Sequence, residues 1–415
     1  MMRVLSDTTW SPRKIWNCFD IVNGATPASG TAHFWDGGIP WVGPADLGKL
    51  SSRVISRGER NLTESGYKSC GTTFVPAGTI ILSARAPIGH VAVAADRLCF
   101  NQGCKGLVPN TDIFGEFAYW LILALKPKLE AAGQGTTFVE LSRSKLKDVT
   151  FLLPPLPEQR AIAAFLDGKC ARIDEAVRIK EAQIRLLAER RQILIQEAVT
   201  RGLNPNAPMK DSGIDWIGQI PAHWEVKRFK YLFEQSRLPV RPSDGVVTSF
   251  RDGQVTLRSN RRLEGFTEAI IEGGYQGIRM GQLVLNSMDA FEGAIGVSEA
   301  DGKCTPEYVI CDPIQDGLSQ HYFANLLRQM ALARYIQVIC NAVRQRAVRI
   351  RFNNLAHRFM VVPPAGEQKQ IVEFVETTKK QIGDGIALKQ TQITALREYK
   401  TSLIDAAVTG KIKVL

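Results

Sequence analysis

The sequence has few of the side chains that build metal and redox sites. Its 415 residues include five histidines and eight cysteines, and no two cysteines form a CxxC pair. Protein metal sites bring such ligands together at short, regular spacing, and the histidines here lack that spacing. We therefore expect no metal in this chain and reduced, mostly buried thiols.

Sequence signatures of catalysis are also missing. The sequence contains no GxxxxGK(S/T) phosphate loop, no glycine-rich turn opening a βαβ unit, no Asn-Pro-Pro-aromatic tetrapeptide and no HExxH motif. Each of these motifs carries a defined piece of chemistry, such as phosphate binding or metal ligation. Their absence argues against a self-contained methyltransferase or nuclease. An enzyme whose site is assembled between the two halves of the chain stays open as an alternative, because catalytic groups can be distant in sequence.

Long apolar runs are absent as well. No stretch of about 18 apolar residues occurs, and the N-terminal residues lack the apolar segment of an export signal. The sequence therefore predicts a cytoplasmic protein without a membrane span.

What the sequence does have is an excess of positive charge. Lysine and arginine number 52 against 41 acidic residues, which gives a formal net charge of +11. Such an excess favours a polyanionic partner, most simply nucleic acid. The alternative is a scaffold that binds proteins and no DNA, with incidental charge. The composition, 45% hydrophobic and 22% charged, is that of an ordinary folded protein, and the length indicates roughly two to four domains.

The chain also contains a long internal repeat. Residues 152–203 and 361–412 align without a gap at a constant offset of 209, which is 363 minus 154. Pro-Pro, Glu-Gln and Ala-Val-Thr recur at matching positions of the two copies. A repeat of this length predicts a duplicated structural unit, and each copy closes one half of the chain.

Each copy predicts one long helix. Pro154 and Pro155 favour extended backbone just upstream, and Glu158 places an acid near the helix N-terminus, where the helix dipole favours negative charge. Only Gly168 interrupts the helical pattern up to Thr200. A helix over 158–200 would be roughly 60 Å long at 1.5 Å per residue.

A heptad pattern predicts that the two helices pair. Both copies carry a lysine at the same d position and a cation, Arg191 or Lys400, at the same a position. Matching polar residues in an apolar seam fix register and partner. In the alternative, each helix packs on its own neighbouring domain. The predicted d residues of the seam are Leu166, Ile173, Lys180, Leu187, Leu194, Val375, Ile382, Lys389, Leu396 and Leu403.

The first helix carries a second apolar stripe outside that seam. Its residues are Phe165, Ile179, Leu186 and Ile193, spaced by seven or fourteen positions. A two-helix pair alone would leave this stripe in water, which soluble proteins rarely tolerate over such a length. We expect the stripe to dock a partner protein or to cover the adjacent globular domain.

The regions before the repeats are of a different kind. Residues 1–153 and 223–362 are rich in glycine, proline, β-branched and aromatic residues, which indicates short strands separated by tight turns. Residues 204–222 show no periodicity and are expected to link the halves. The predicted fold class is α+β, with two globular mixed α/β domains at 1–153 and 223–362 and long helices at 154–203 and 363–415.

Several of these segments resemble the specificity subunits of type I restriction–modification systems, over nearly the whole chain. The resemblance is carried by PPLPEQRAIAAFLD and PPAGEQKQIVEFVE at the helix starts, by ILIQEAVTRGL and SLIDAAVTGKI at their ends, and by MKDSGIDWIGQIPAHWEVKRF in the centre. GATPASGTAHFWDGGIPWVGPADL, SARAPIGHVAV and NQGCKGLVP in the first half are similar to one class of target-recognition domain.

The resemblance implies a non-catalytic subunit with two target-recognition domains, each of which binds one half of a split, asymmetric DNA target. The two helices would form an antiparallel coiled coil with pseudo-twofold symmetry, set the spacer and dock two modification subunits. Restriction subunits are left open. S-adenosylmethionine and ATP would bind the partner chains and not this one. Lengthening the first helix near Thr200 by one turn would then change the spacer and not the half-sites.

The candidate DNA contacts are polar and basic residues in turn-rich stretches. Arginine suits both phosphate oxygens and guanine O6 and N7. For each residue the alternative is a solvated charge or a salt bridge, and the alternation in RAVRIR is also typical of a half-exposed strand. The candidates are Arg85, Gln102, Lys105, Gln134, Thr136 and Thr137 in the first half and Arg258, Arg261, Arg262, Arg344, Arg346, Arg349 and Arg351 in the second.

Overall fold

The structure is a computed structural model, and it describes residues 10–133, 139–261, 274–340 and 349–414. The chain divides into two compact units. Unit 1 comprises Met1–Glu181 and Gln390–Leu415, and unit 2 comprises Ala182–Lys389. Both units mix strands and helices, which agrees with the predicted α+β class.

The first part of unit 1 is built from short strands and helices. Its strands are β1 (Ser11–Lys14), β2 (Phe19–Asn23), β3 (Trp35–Ile39), β4 (Trp41–Val42), β5 (Val54–Ile55), β6 (Ile80–Ser83), β7 (Val91–Ala94), β8 (Cys99–Phe100), β9 (Cys104–Pro109) and β10 (Thr150–Leu153). Its helices are α1 (Ile15–Cys18), α2 (Pro44–Gly48), α3 (Glu64–Lys68), α4 (Gly115–Ala124), α5 (Lys126–Gly133) and α6 (Arg143–Lys147).

A five-stranded sheet in the order β2-β9-β6-β7-β5 forms the centre of unit 1. Its middle strand, β6, is apolar at Ile80, Ile81 and Leu82, and all three side chains are fully buried, because both faces of the sheet are covered. One face packs against α4 through Phe117 and Leu121. Separately, β1 pairs with β10, so the chain returns to its start just before the first long helix.

The first long helix, α7 (Leu156–Arg201), begins directly after the double proline and spans 46 residues. Pro157 lies in its first turn, where a missing backbone N–H costs nothing. Gly202 follows the last residue with φ +76°, the left-handed conformation that commonly ends a helix and favours glycine. The predicted long helix is therefore present.

Unit 2 contains the remaining elements. Its strands are β11 (Met209–Asp211), β12 (Gln219–Pro221), β13 (Glu225–Arg228), β14 (Phe233–Gln235), β15 (Val247–Ser249), β16 (Val255–Leu257), β17 (Gln276–Ile278), β18 (Leu283–Asn286), β19 (Ile295–Val297), β20 (Gly302–Cys304), β21 (Tyr308–Pro313) and β22 (Phe359–Val362). Its helices are α8 (Gln320–Leu332), α9 (Tyr335–Ile339) and α10 (Phe352–Ala356), and the second long helix, α11 (Ala365–Val408), starts in unit 2 and ends in unit 1.

The central sheet of unit 2 has the order β14-β21-β18-β19. The same order is found in β2-β9-β6-β7 of unit 1: of these four strands, the first along the chain pairs with the last, and the two intervening strands follow. The first pair of each sheet also starts alike, with Phe19 opposite Pro109 and Phe233 opposite Pro313. As β1 pairs with β10, β13 pairs with β22 just before α11.

The segment predicted as a linker is an ordered part of unit 2. Residues 209–221 form the β11–β12 hairpin, and Ile214, Ile217 and Ile220 are buried in the core beside Trp224. Their burial anchors the chain between α7 and β13.

The predicted d residues of both long helices are buried or half-buried. Leu166, Ile173, Val375 and Leu403 are buried, and the other six are half-buried. Inside unit 1, Lys400 Nζ lies 2.7 Å from Asp174 Oδ1.

The cysteines are free thiols, and six of the eight are buried. Burial raises the pKa of the Cys104 and Cys304 thiols to about 12, which keeps them protonated and unreactive. No helix among the described residues is both long and apolar enough to cross a membrane.

Candidate nucleic-acid interface

In each central sheet, loops that carry candidate DNA contacts meet at the ends of neighbouring strands. In unit 1, the ends of β2 and β6 lie opposite the start of β9, because Asn23 pairs with Lys105 and Ser83 with Cys104. In unit 2, the end of β18 lies opposite the start of β21. We call this side of each sheet the loop edge. It brings together residues that are far apart in sequence.

A network of polar side chains fixes the loop edge of unit 1. Asn101 Nδ2 donates to Thr26 Oγ1 at 2.7 Å, and Asn101 Oδ1 accepts from the Gly103 N–H at 2.6 Å. Thr26 Oγ1 also donates to the side-chain oxygen of Gln102, which is exposed. The Trp41 indole holds the same loop by donating to Ala25 O at 3.1 Å. The predicted contact Gln102 is therefore an exposed amide held in place by its neighbours.

Arg85 stands beside this network in an ion pair with Glu140. Its Nε lies 3.2 Å from Glu140 Oε2, and the two side chains are 48% and 38% exposed. A pair this exposed contributes about 0–1 kcal/mol, so its separation by a ligand costs little. Arg85 can therefore reach a ligand at the loop edge.

Lys105 has a different environment. Its position in β9 leaves only 7% of the residue exposed. Burial lowers the pKa of its amine, and the nearby Glu140 carboxylate partly opposes that change. Lys105 therefore adds positive charge beneath the loop edge and presents little surface.

The candidates of unit 2 lie in two places. On the loop edge, Arg349 Nη1 lies 2.8 Å from Glu307 Oε1. Arg258 and Arg261 follow β16, where Arg258 Nε donates to Thr248 Oγ1 at 3.2 Å. The Arg261 guanidinium lies 2.7 Å from the Asp252 carboxylate and 4.3 Å from the centre of the Phe250 ring.

Arg351 is exposed, and its backbone N–H donates to Asn354 Oδ1 at 2.8 Å at the start of α10. The structure thus brings Arg85, Gln102 and Lys105 together and places Arg349 on the corresponding edge of unit 2. The candidates Gln134, Thr136, Thr137, Arg262, Arg344 and Arg346 lie outside the described residues.

Sequence reasoning missed Thr26, Asn101, Glu140 and Glu307. The two glutamates could not be predicted from net charge, because an excess of positive charge indicates only basic contacts to DNA. Asn101 adjoins Gln102, so its place in the NQGC stretch was an available signal.

A buried glutamine joins each globular part to its long helix. Gln159 Oε1 accepts from the Phe114 N–H at 2.7 Å, and its Nε2 donates to Pro154 O at 2.9 Å. Gln368 Oε1 accepts from the Ser319 N–H at 2.8 Å, and its Nε2 donates to Pro363 O at 2.9 Å. The orientation of each helix start is thereby fixed against the domain that precedes it.

We expect Gln368→Ala to destabilise unit 2 by about 2 to 4 kcal/mol. Gln368 is 1% exposed, so the change leaves the Ser319 N–H and the Pro363 carbonyl buried without their hydrogen-bond partner. Chemical denaturation of the full chain measures the loss. Gln370→Ala, at an exposed position one half-turn further on, is the matched control and should stay within about 0.5 kcal/mol. Equal effects of the two variants would contradict this role.

The predicted docking stripe on α7 is largely in solvent. Ile179, Leu186 and Ile193 are 45%, 63% and 48% exposed. Phe165 is half-buried and packs against the core of unit 1. On α11, Leu388 is 59% exposed.

Comparison with known proteins identifies the family. Residues 8–184 match the family model described as type I restriction modification DNA specificity domain. The type I restriction enzyme MjaIX specificity subunit of Methanocaldococcus jannaschii is 25% identical over 433 residues, which cover 98% of this chain and 94% of that protein. The EcoDI specificity subunit of Escherichia coli is 22% identical, with 66% of each chain covered.

Two solved structures share the fold. A chain from a study of complex assembly and conformational transition of the type I R-M system has a TM-score of 0.70 and 16% identity, with 99% of this chain and 100% of that chain covered. The HsdS subunit from Thermoanaerobacter tengcongensis has a TM-score of 0.57 and 16% identity, with 98% of each covered.

The fold and the matched domain define a DNA specificity protein. Residues 8–184 belong to the family of type I restriction modification DNA specificity domains, and the chain is similar over nearly its whole length to a specificity subunit of a type I restriction enzyme. This confirms the family that the helix starts and central segment resemble, and with it the prediction of a subunit that is non-catalytic by itself.

Proposed function

We propose that this chain selects the DNA target of a type I restriction–modification complex, with each unit binding one half of a split, asymmetric sequence. One observation carries the proposal: both central sheets arrange four strands in the same order and have an arginine on the corresponding loop edge. Two similar sheets with different loop residues suit two different half-sites. The net charge of +11 favours the DNA backbone as the shared part of the ligand.

We propose further that α7 and α11 pair as an antiparallel coiled coil that sets the spacer. In unit 1, Lys180 Nζ donates to Gln392 Oε1 at 2.7 Å, and in unit 2, Lys389 Nζ donates to Gln183 Oε1 at 2.7 Å. The repeat offset of 209 carries Lys180 onto Lys389 and Gln183 onto Gln392. The two hydrogen bonds are therefore equivalent under the repeat. From the first bond to the second, the residue number increases on α7 and decreases on α11, as it does between antiparallel helices. This supports a pseudo-twofold internal repeat.

The exposed stripe supports docking of modification subunits. Apolar side chains at seven-residue spacing on a helix surface fit the groove between partner helices. Under the repeat, Phe374 and Leu388 of α11 correspond to Phe165 and Ile179 of α7, which agrees with two modification subunits for each chain, whereas Ala395 and Ser402 stand at the positions of Leu186 and Ile193. S-adenosylmethionine, and ATP where restriction subunits join, would bind those partners.

The proposal predicts binding that is sequence-specific and strongly salt-dependent. Each phosphate contact adds a slope of about 0.9 to the fall of log affinity with log salt, so six contacts imply roughly a thousandfold loss between 50 and 200 mM salt. Protection mapping on a genomic DNA library, with and without the modification subunit, should recover one split sequence. Absence of any sequence preference at low salt would overturn the proposal and favour a scaffold that binds only proteins.

A further inference from the structure

We propose that each unit recognises a G·C base pair with an arginine–glutamate pair on its loop edge, Arg85 with Glu140 in unit 1 and Arg349 with Glu307 in unit 2. The inference rests on the proposed function and names the base pair that these positions bind.

The two pairs occupy the same backbone junction. In unit 1, Ala84 follows β6, its N–H donates to Gly103 O at 2.8 Å, and its carbonyl accepts from the Leu141 N–H at 2.8 Å. Arg85 is the next residue after Ala84, and Glu140 immediately precedes Leu141. The ion pair therefore flanks this junction.

Unit 2 builds the junction in the same way. Ser287 follows β18, its N–H donates to Glu307 O at 3.2 Å, and its carbonyl accepts from the Ile350 N–H at 3.2 Å. Arg349 immediately precedes Ile350. Arg349 stands where unit 1 has Glu140, whereas Glu307 stands where unit 1 has Gly103, and Met288 is the counterpart of Arg85. Each junction nevertheless holds one arginine and one glutamate.

Both pairs are within reach of a ligand. The arginine and glutamate side chains are 48% and 38% exposed in unit 1 and 48% and 37% exposed in unit 2. The carboxylate contacts Nε of Arg85, so its Nη1 and Nη2 form the fork for a bidentate contact. In Arg349 the contact is at Nη1, and the Nε–Nη2 edge is the corresponding fork.

The pair matches the major-groove edge of a G·C base pair. Guanine presents the acceptors N7 and O6, which suit arginine, and the paired cytosine presents the N4 amino donor, which suits a carboxylate. Along the same major-groove edge an A·T pair presents an acceptor, a donor and an acceptor, so its adenine amino group would face the arginine donors. One arginine beside one carboxylate therefore favours G·C.

The carboxylate also discriminates against the DNA backbone. A phosphate bound by Arg85 would lie beside Glu140, and this like-charge contact is unfavourable. Glu140 cannot easily withdraw, because its N–H donates to Gly133 O at 3.1 Å and the adjacent Leu141 is fully buried. The glutamates thus bias both arginines toward base edges and away from non-specific phosphate contacts.

The test is genome-wide mapping of methylated sites, with the full chain assembled with its modification subunit. Arg85→Ala and Glu140→Gln should relax the preference for G·C at one position of one half-site, and Arg349→Ala and Glu307→Gln should do so only in the other. A bidentate base contact corresponds to roughly 5- to 150-fold discrimination, and we expect at least about a tenfold loss. Glu140→Gln and Glu307→Gln should also raise the affinity for a non-target duplex severalfold.

Two exposed ion pairs away from the loop edges provide controls. Asp148→Asn removes the partner of Lys14 beside β1, and Glu225→Gln removes the partner of Lys227 in β13. Both should leave sequence preference and non-target affinity unchanged.

The outcomes separate the two proposals. Sequence-specific methylation that keeps its G·C preferences in the glutamate variants would overturn this inference and leave the proposed function intact. A wild-type complex without any sequence preference would count against the proposed function instead. Glutamate-to-glutamine changes keep the side-chain shape, so they decide the question even where an alanine variant fails to fold.

Discussion

Replacing Leu186 by aspartate should strongly weaken assembly with the modification subunit and leave the fold intact. Leu186 is 63% exposed at the middle of the stripe on α7, so the change costs the isolated chain little. In a complex, burying the leucine contributes about 1.5–3 kcal/mol, whereas burying an unpaired carboxylate is strongly unfavourable. We expect the affinity for the modification subunit to fall by at least about a hundredfold, as measured by titration calorimetry or co-purification.

Arg185→Asp is the control for that experiment. Arg185 is the preceding residue, is also exposed, and points about 100° away around the helix. It introduces the same carboxylate outside the stripe and should reduce the affinity much less. A Leu186→Asp chain that still assembles normally would show that the stripe is not the docking surface.

The long helices could be predicted from the sequence because their signals are local. The double prolines, the seven-residue spacing and the repeat offset indicate where α7 and α11 begin and which positions turn inward. The partners of the seam lysines were not predicted. Gln183 and Gln392 lie at g positions of the heptad, outside the a and d positions that form the apolar seam.

The loop edge could be predicted only in part, since strand pairing decides which loops meet. Arg85 and Gln102 were candidates as separate polar residues, but their proximity follows from the pairing of Ser83 with Cys104. Glu140 reaches Arg85 from 55 positions further along the chain, and no sequence periodicity links them. Lys105 looked like a surface cation, although its place in a central strand buries it.

The 204–222 segment illustrates the opposite case. Its apolar residues Ile214, Ile217 and Ile220 were visible, but they fit neither a helical nor a strand period. They pack because a turn-rich segment folds against the core built around Trp224, and tertiary contacts, not local periodicity, place them there.

Lengthening both long helices by one turn should lengthen the spacer of the methylated target and leave both half-sites unchanged. In the proposed arrangement the helix pair sets the spacer, and four residues add about 6 Å, close to two base pairs at about 3.4 Å each. The extra residues should not be inserted near Thr200. Thr200 is 5% exposed and adjoins Val199, which is fully buried in unit 2, so an insertion there would disturb that core.

Insertion between Glu181 and Ala182, together with insertion between Lys389 and Gln390, falls at the boundary between the units. It keeps the Lys180–Gln392 hydrogen bond within unit 1 and the Lys389–Gln183 hydrogen bond within unit 2. Methylation mapping should then recover the same half-sites with a spacer longer by about two base pairs. Insertion in α7 alone is the control, since it forces one of the two hydrogen bonds out of register and should reduce methylation sharply. Changed half-sites, or an unchanged spacer in the double insertion, would contradict the helix pair as the element that sets the distance.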